Sequence, residues 1–149
     1  MRAVVQRVRE ASVTVDGREV GAIGQGLLAL VSAGQGDVAD DAALIADKIG
    51  GLRVFSDDAG KMNLDVRTIG GAVLLVSQFT LHGDVRKGRR PAFLEAMEPE
   101  GARRLIEAVA TRLQADGIPV SQGIFGADMA VRLWNDGPVT ILIDSRKLF

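Results

Sequence analysis

The stretch Ala11-Ser12-Val13-Thr14-Val15-Asp16-Gly17-Arg18-Glu19-Val20-Gly21-Ala22-Ile23 decides the fold class. Ser12, Val13, Thr14 and Val15 are β-branched or polar in strict alternation, which is strand chemistry with one face inward. Asp16-Gly17 then separates this run from a second one over residues 19–23, and Asp-Gly between two such runs is a strong hairpin signal. Upstream, the Val-rich residues 2–8 extend the strand character. Downstream, residues 26–33 hold the unbroken run Leu27, Leu28, Ala29, Leu30, Val31, which fits a strand buried on both faces.

The period changes at residues 37–50. Val38, Ala42, Ile45 and Ile49 are spaced four, three and four, so one helical face is apolar, and Asp37, Asp40 and Asp41 crowd its start, where carboxylates suit the helix dipole. A short strand is expected over 52–55, a turn over 56–60 and a buried strand over 71–79. A second amphipathic helix runs from about Pro99 to Asp116, with Ala102, Leu105, Ile106, Val109 and Leu113 as its stripe and Gly117 and Pro119 as its stop. Strands over 129–134 and 139–143 follow, joined by Asn135-Asp136-Gly137-Pro138, which reads as a hairpin turn. The fold class is therefore α+β, with two helices covering one face of mainly antiparallel sheet.

The 149 residues suit one domain spanning 1–149, and no linker or repeat divides them. There is no cysteine, so disulfides, thiolate metal sites and a Cys nucleophile are excluded. The single histidine, His82, excludes any site needing two imidazoles, and a Ser-His-Asp triad would have to use it. No metal and no cofactor is expected. Eighteen basic residues against 19 acidic leave a net charge of −1, so nucleic-acid contact would need a local patch. With no Tyr, five Phe and one Trp, a broad stacking platform for single-stranded RNA is not expected. No signal-peptide core or membrane span is legible, and the expected location is cytoplasmic.

Three motifs carry candidate chemistry. Gly34-Gln35-Gly36-Asp37-Val38-Ala39 matches G-x-G-x-x-A between a strand and a helix, the context of a dinucleotide site. Its three early aspartates would repel a pyrophosphate, so a tight strand-to-helix turn is the favoured reading. Ser77-Gln78-Phe79-Thr80 ends the most apolar strand with polar groups, either to satisfy its own backbone or to meet a ligand. Arg86-Lys87-Gly88-Arg89-Arg90 places four cations in five positions, as a solvated loop or a phosphate contact.

Taken together and in order, the motifs around residues 1–8, 61–64, 77–81, 86–91, 125–129 and 135–140 closely resemble the D-aminoacyl-tRNA deacylases of the bacterial and eukaryotic type, over essentially the whole chain. The resemblance implies an ester hydrolase that removes D-amino acids, and mischarged glycine, from tRNA. With it goes an α+β fold of mainly antiparallel β-sheets forming a barrel-like core, with two amphipathic helices packed outside. It implies a homodimer in which a cis Gly137-Pro138 peptide enters the partner's pocket and excludes L side chains. By the same resemblance Arg7 holds that peptide, and Ser77, Gln78, Phe79 and Thr80 line the scissile ester. Phe79 lies near the adenosine, and Met129 sits at the rim of the adenine pocket. Arg86, Lys87, Arg89 and Arg90 are the expected tRNA contacts. The chain departs from the family pattern after Leu81, where His82-Gly83 replace the usual Tyr-Ala, and His82 is expected to be structural or peripheral.

With no evident side-chain base, the expected mechanism uses backbone N–H donors for the oxyanion and the substrate's own 2′-hydroxyl to position water. The rival expectations are a dinucleotide-binding oxidoreductase built on residues 34–39 and a non-catalytic dimeric tRNA-binding module.

Overall fold

The computed structural model describes residues 1–148. Its elements in chain order are β1 (Arg2–Val15), β2 (Arg18–Ile23), β3 (Gly26–Ser32), α1 (Ala39–Gly50), β4 (Phe55–Ser56), β5 (Met62–Leu64), β6 (Ala72–Ser77), a 3₁₀ turn (Phe79–His82), α2 (Pro99–Ala115), β7 (Val120–Gln122) and β8 (Ala130–Asp144).

The two N-terminal runs form one strand, β1, on which most of the sheet is laid. β8 pairs antiparallel with it from Arg2↔Asp144 to Thr14↔Ala130. The other edge of β1 is shared. β3 pairs with its first half, Arg2↔Ser32 to Val8↔Gly26, and β2 with its second half, Ala11↔Ile23 to Val15↔Arg18. Asp16 and Gly17 both have positive φ (49° and 76°), as the Asp-Gly turn requires.

The sheet is mixed rather than wholly antiparallel. β6 lies parallel to β3, and β7 parallel to β6. β3 and β6 are joined by a crossover that carries α1, because parallel neighbours cannot be linked by a hairpin. At the far edge Ser121 Oγ donates to the Ala22 carbonyl (3.0 Å), and a Cβ on Gly21 would lie 2.6 Å from the Gln122 carbonyl oxygen. β2 and β7 therefore meet, and the sheet curls into a nearly closed barrel.

The continuous apolar run of β3 is explained by its two buried faces. Leu27, Ala29 and Val31 pack with Val73, Leu75, Ile45, Ile49, Val109 and Leu113, the layer between sheet and helices. Leu28 points the other way, with Leu74, Val76, Val8 and Val13, into the barrel. Alternate residues of one strand so serve two cores. No helix among the described residues is long and apolar enough to cross a membrane.

The segment 135–138 is not a hairpin turn. Both of its flanks pair antiparallel with β1 in one direction, so the chain does not reverse, and the register shifts between Gln6, Val8 and Glu10 absorb the extra residues as a bulge. Asn135 bridges the bulge with its side chain. Its Oδ1 accepts from the Val139 N–H (2.9 Å), and its Nδ2 donates to the Val139 carbonyl (3.2 Å). The turn-forming residues are the same in a bulge as in a hairpin, and only the pairing partner tells them apart. The short strand expected at 52–55 lies at Phe55–Ser56 and pairs with β5, while β5 and β7 were not legible.

Close approach at Gly26 makes the β3–β6 pairing possible: a Cβ there would lie 1.9 Å from the Ala72 carbonyl oxygen. Gly26→Ala is expected to destabilise the protein by more than about 2 kcal/mol, because backbone and not a flexible side chain would have to move. Gly24→Ala, with nothing within 4 Å of its Cβ position, is the control and should stay within about 0.5 kcal/mol. Urea denaturation of both variants measures the difference.

Candidate active site

Parallel strands end side by side, and ligands of such sheets collect beyond their carboxyl ends. Here Val31 of β3 sits opposite Ser77 of β6, and the Gln78 N–H donates to the Val31 carbonyl (2.8 Å) just past the strand. The chain then tightens into the 3₁₀ turn, where the Leu81 N–H donates to Gln78 (3.1 Å) and the Gly83 N–H to Thr80 (2.9 Å). The start of such a turn leaves N–H groups without intrahelical acceptors. Those of Phe79 and Thr80 have no backbone acceptor among the described residues.

A cleft of about 500 Å³ opens at this point. Ser77, Gln78 and Phe79 form one wall, the start of α2 with Ala102 and Ile106 another, and residues 125–129 a third. Phe79 is 57% exposed, and its ring makes a T-shaped pair with Phe93, with centroids 5.0 Å apart, so part of an aromatic ring is open to the cleft. Opposite, Gly123 makes room for Met129, whose Sδ lies 2.5 Å from where a Cβ would be. Thr80 does not line the cleft. Its Oγ1 accepts a hydrogen bond from the Gln78 side-chain amide. Among the described residues the one carboxylate in the lining is Asp128, and no Lys or Arg belongs to it.

Arg7, Gly137 and Pro138 form a separate group, none of them lining that cleft. The Gly137-Pro138 peptide is cis, and Gly137 has φ 147°, a value that favours glycine. Arg7 braces the bulge: its Nε donates to the Asp136 carbonyl (2.8 Å), its Nη1 donates to the Val54 carbonyl, and its Nη2 lies 3.1 Å from the Cβ position of Gly137. Arg9 adds an ion pair to the Asp136 carboxylate at 3.1 Å.

The basic loop is a third location. It is pinned by the Asp84↔Ala92 bridge. Arg86 is committed to Asp84 by Nε (2.9 Å) and Nη2 (2.7 Å), hydrogen bonds that hold the Asp84 carboxyl well below the usual carboxylate range. Lys87, Arg89 and Arg90 are exposed and make no ion pair among the described residues.

The glycine motif at 34–39 sits in a strand–helix–strand crossover, the context a dinucleotide site needs. Its anion position is nonetheless filled from within. The Asp37 carboxylate, buried, accepts from the Gly34 N–H (2.5 Å) and pairs with the Met1 amino group (2.7 Å) and Arg146 (2.8 Å). A pyrophosphate would have to displace that carboxylate, so the dinucleotide reading has no site.

The family model described as D-Tyr-tRNA(Tyr) deacylase matches residues 4–144. The chain belongs to that family. A D-aminoacyl-tRNA deacylase of Anaeromyxobacter dehalogenans is 60% identical, over 100% of both chains. One of Chloroflexus aurantiacus is 59% identical, over 99% of this chain and 92% of the relative. A solved structure titled c-Myc DNA Unwinding Element Binding Protein superposes with a TM-score of 0.91 at 41% identity, covering 97% of this chain and 98% of that one. The family membership rests on full-length matches and so agrees with the α+β fold described above.

Sequence reasoning singled out the motif at 125–129 without giving Phe125 a role, and it missed the part of the cleft that comes from α2, because Ala102 and Ile106 belong to a helical stripe that looks like ordinary core. It also left Phe93 unremarked, since nothing local distinguishes it from a loop residue.

His82 lies outside the cleft and is 7% exposed, with its Nε2 lacking a partner among the described residues. Burial first, then the Arg2 charge, pushes its pKa below the ordinary 6.5, while Asp37 opposes the shift. The native state therefore favours the neutral ring. The stability this contributes is present above about pH 6.5 and is lost as the pH falls from there towards the lowered native value. Thermal melts from pH 7.5 to 5 should show Tm falling in the unmodified protein and a flatter profile in His82→Gln.

Proposed function

We propose that this chain is a single-domain D-aminoacyl-tRNA deacylase, an ester hydrolase that releases free D-amino acids, and glycine from mischarged tRNA, in the cytoplasm. The observation that carries the reading is the cleft beyond β3 and β6, where Ser77, Gln78 and Phe79 face Met129 in a chain of this family. The cleft is of a size to take an adenosine and an amino acid, with Phe79 and Met129 offering soft, flat surfaces to the base.

Chemistry at this site is assigned to the main chain. The N–H of Phe79, which lines the cleft, is the first oxyanion donor, and that of Thr80, the next residue along the turn, is the second candidate, each donor being worth roughly 10²–10³ in rate for an acyl-transfer intermediate. Ser77 and Gln78 orient the ester. No imidazole lines the cleft, and the Thr80 hydroxyl is engaged by Gln78, which leaves no evident base for a Thr80 nucleophile. The free 2′-hydroxyl of the terminal ribose is assigned the task of positioning the attacking water.

Chiral selection is assigned to Gly137 and Pro138 acting in the partner's cleft of a homodimer. Arg7 holds them through Asp136. The separation of this group from the cleft within one chain is what such an exchange needs. Arg86, Lys87, Arg89 and Arg90 are proposed as tRNA backbone contacts, with Lys87, Arg89 and Arg90 the more available because Arg86 is paired.

Deacylation of labelled D-aminoacyl-tRNA tests the whole reading, and absence of turnover would overturn it. Two further outcomes test its parts. Thr80→Ala should keep substantial activity, whereas tRNA ending in 2′-deoxyadenosine should be cleaved poorly by the unmodified enzyme; rapid hydrolysis of the deoxy substrate rules out the assisting hydroxyl. D-alanyl and glycyl esters should be hydrolysed and L-alanyl ester spared, since a backbone clamp at the chiral carbon rejects any L side chain from Cβ onwards. Comparable rates for L- and D-alanyl esters would exclude the clamp.

A further inference from the structure

The α2 helix presents three arginines, and two of them are occupied. Arg104 pairs with Glu100 at 2.8 Å, and Arg112 with Asp47 at 3.1 Å and Asp116 at 3.4 Å. Arg103 is different. It is exposed, makes no ion pair among the described residues, and sets its guanidinium carbon 4.9 Å from the centroid of the Phe125 ring. Phe125 is itself cleft wall. An arginine resting on an aromatic face is partly ordered before it meets a ligand, and its N–H groups remain free around the edge to donate.

We propose that Arg103 binds a backbone phosphate of the tRNA acceptor end, the one that joins the terminal adenosine to the preceding nucleotide. This rests on the deacylase reading, which puts that adenosine in the cleft. Among the described residues the cleft lining holds no cation and one carboxylate, Asp128, so the phosphate of an inserted nucleotide finds no positive partner in it. Arg103 is the unpaired cation fixed against its wall. The planar guanidinium also matches a phosphate's two free oxygens in a way a lysine does not. The loop cations at 86–90 line no part of the cleft, so their contacts lie elsewhere on the RNA.

Two substrates separate this role from a structural one. D-alanyl-tRNA carries the phosphate, and 3′-O-D-alanyl-adenosine does not. Arg103→Gln should lower kcat/KM on D-alanyl-tRNA about tenfold, the scale of one charge-assisted hydrogen-bonded contact, through KM and not kcat. The loss should be absent on the adenosine ester, and Arg103→Lys should recover part of it. The slope of log affinity against log salt should become shallower by about 0.7, the value for one phosphate of a single strand. Equal losses on both substrates would mean that Arg103 only holds Phe125 in place, and no loss on either would mean that the contact is not made. Each result overturns the proposal. If the unmodified protein cleaves neither ester, the deacylase reading fails separately. Binding of an amide-linked, non-hydrolysable D-alanyl minihelix at 50 to 200 mM salt then decides the contact: weaker binding and a shallower slope in Arg103→Gln support it, and unchanged affinity overturns it.

Discussion

The parallel pairing of β3 with β6 is the constraint on which the rest of the molecule depends. It forces a crossover, and the crossover puts α1 on one face of the sheet, where α2 joins it over the core of Ile45, Ile49, Val109 and Leu113. The same pairing brings two strand ends together, and the residues that leave β6 there cannot continue as sheet. They turn tightly instead, with Gln78 tied back to Val31 and the N–H groups of Phe79 and Thr80 released. Gly26 permits the close approach that starts this pairing at the opposite end of the strands.

β1 supplies the second organising fact. By pairing along one edge with β8 and sharing its other edge between β2 and β3, it lets a short chain wrap a barrel. The cost of mismatch along β8 is concentrated at Asn135–Pro138, where Asn135 replaces lost ladder hydrogen bonds with its own amide and Arg7 caps the Asp136 carbonyl. A bulge that projects Gly137 and Pro138 is thus braced from both sides by residues of the sheet itself. The absence of cysteine and the burial of the only histidine fit the proposal that the working groups of the site are main-chain atoms.

Much of this was legible because local physics wrote it. The Asp16-Gly17 hairpin, the two amphipathic helices and the doubly buried run of β3 each follow from residue periodicity and turn chemistry within a few positions. The polar end of β6 could be singled out for the same reason. What was illegible depends on partners far along the chain. Asn-Asp-Gly-Pro serves a hairpin or a bulge equally well, and the difference lies in β1, more than 120 residues away. Three-residue strands such as β5 and β7 are too short for a period to register. The acidic start of α1 reads as a deterrent to phosphate, and Asp37 acts as one, but by a route the sequence does not show: its buried carboxylate fills the anion position itself, because Arg146 and the Met1 amino group come to meet it.

The sequence by itself determined the α+β class, the positions of the helices, the lack of a cysteine nucleophile and of any two-imidazole site, and the ordered motifs that mark the family. These depend on residue type and short spacing, which survive in one dimension. Only the tertiary structure decided that β3 and β6 run parallel and that Ser77, Gln78 and Phe79 share a cleft with Phe125 and Met129. It also decided that Arg7, Gly137 and Pro138 stand apart from that cleft, and that Arg103 rests on its wall. Each of these is a meeting of distant segments, chosen by which faces can be buried together, and no local signal carries that information.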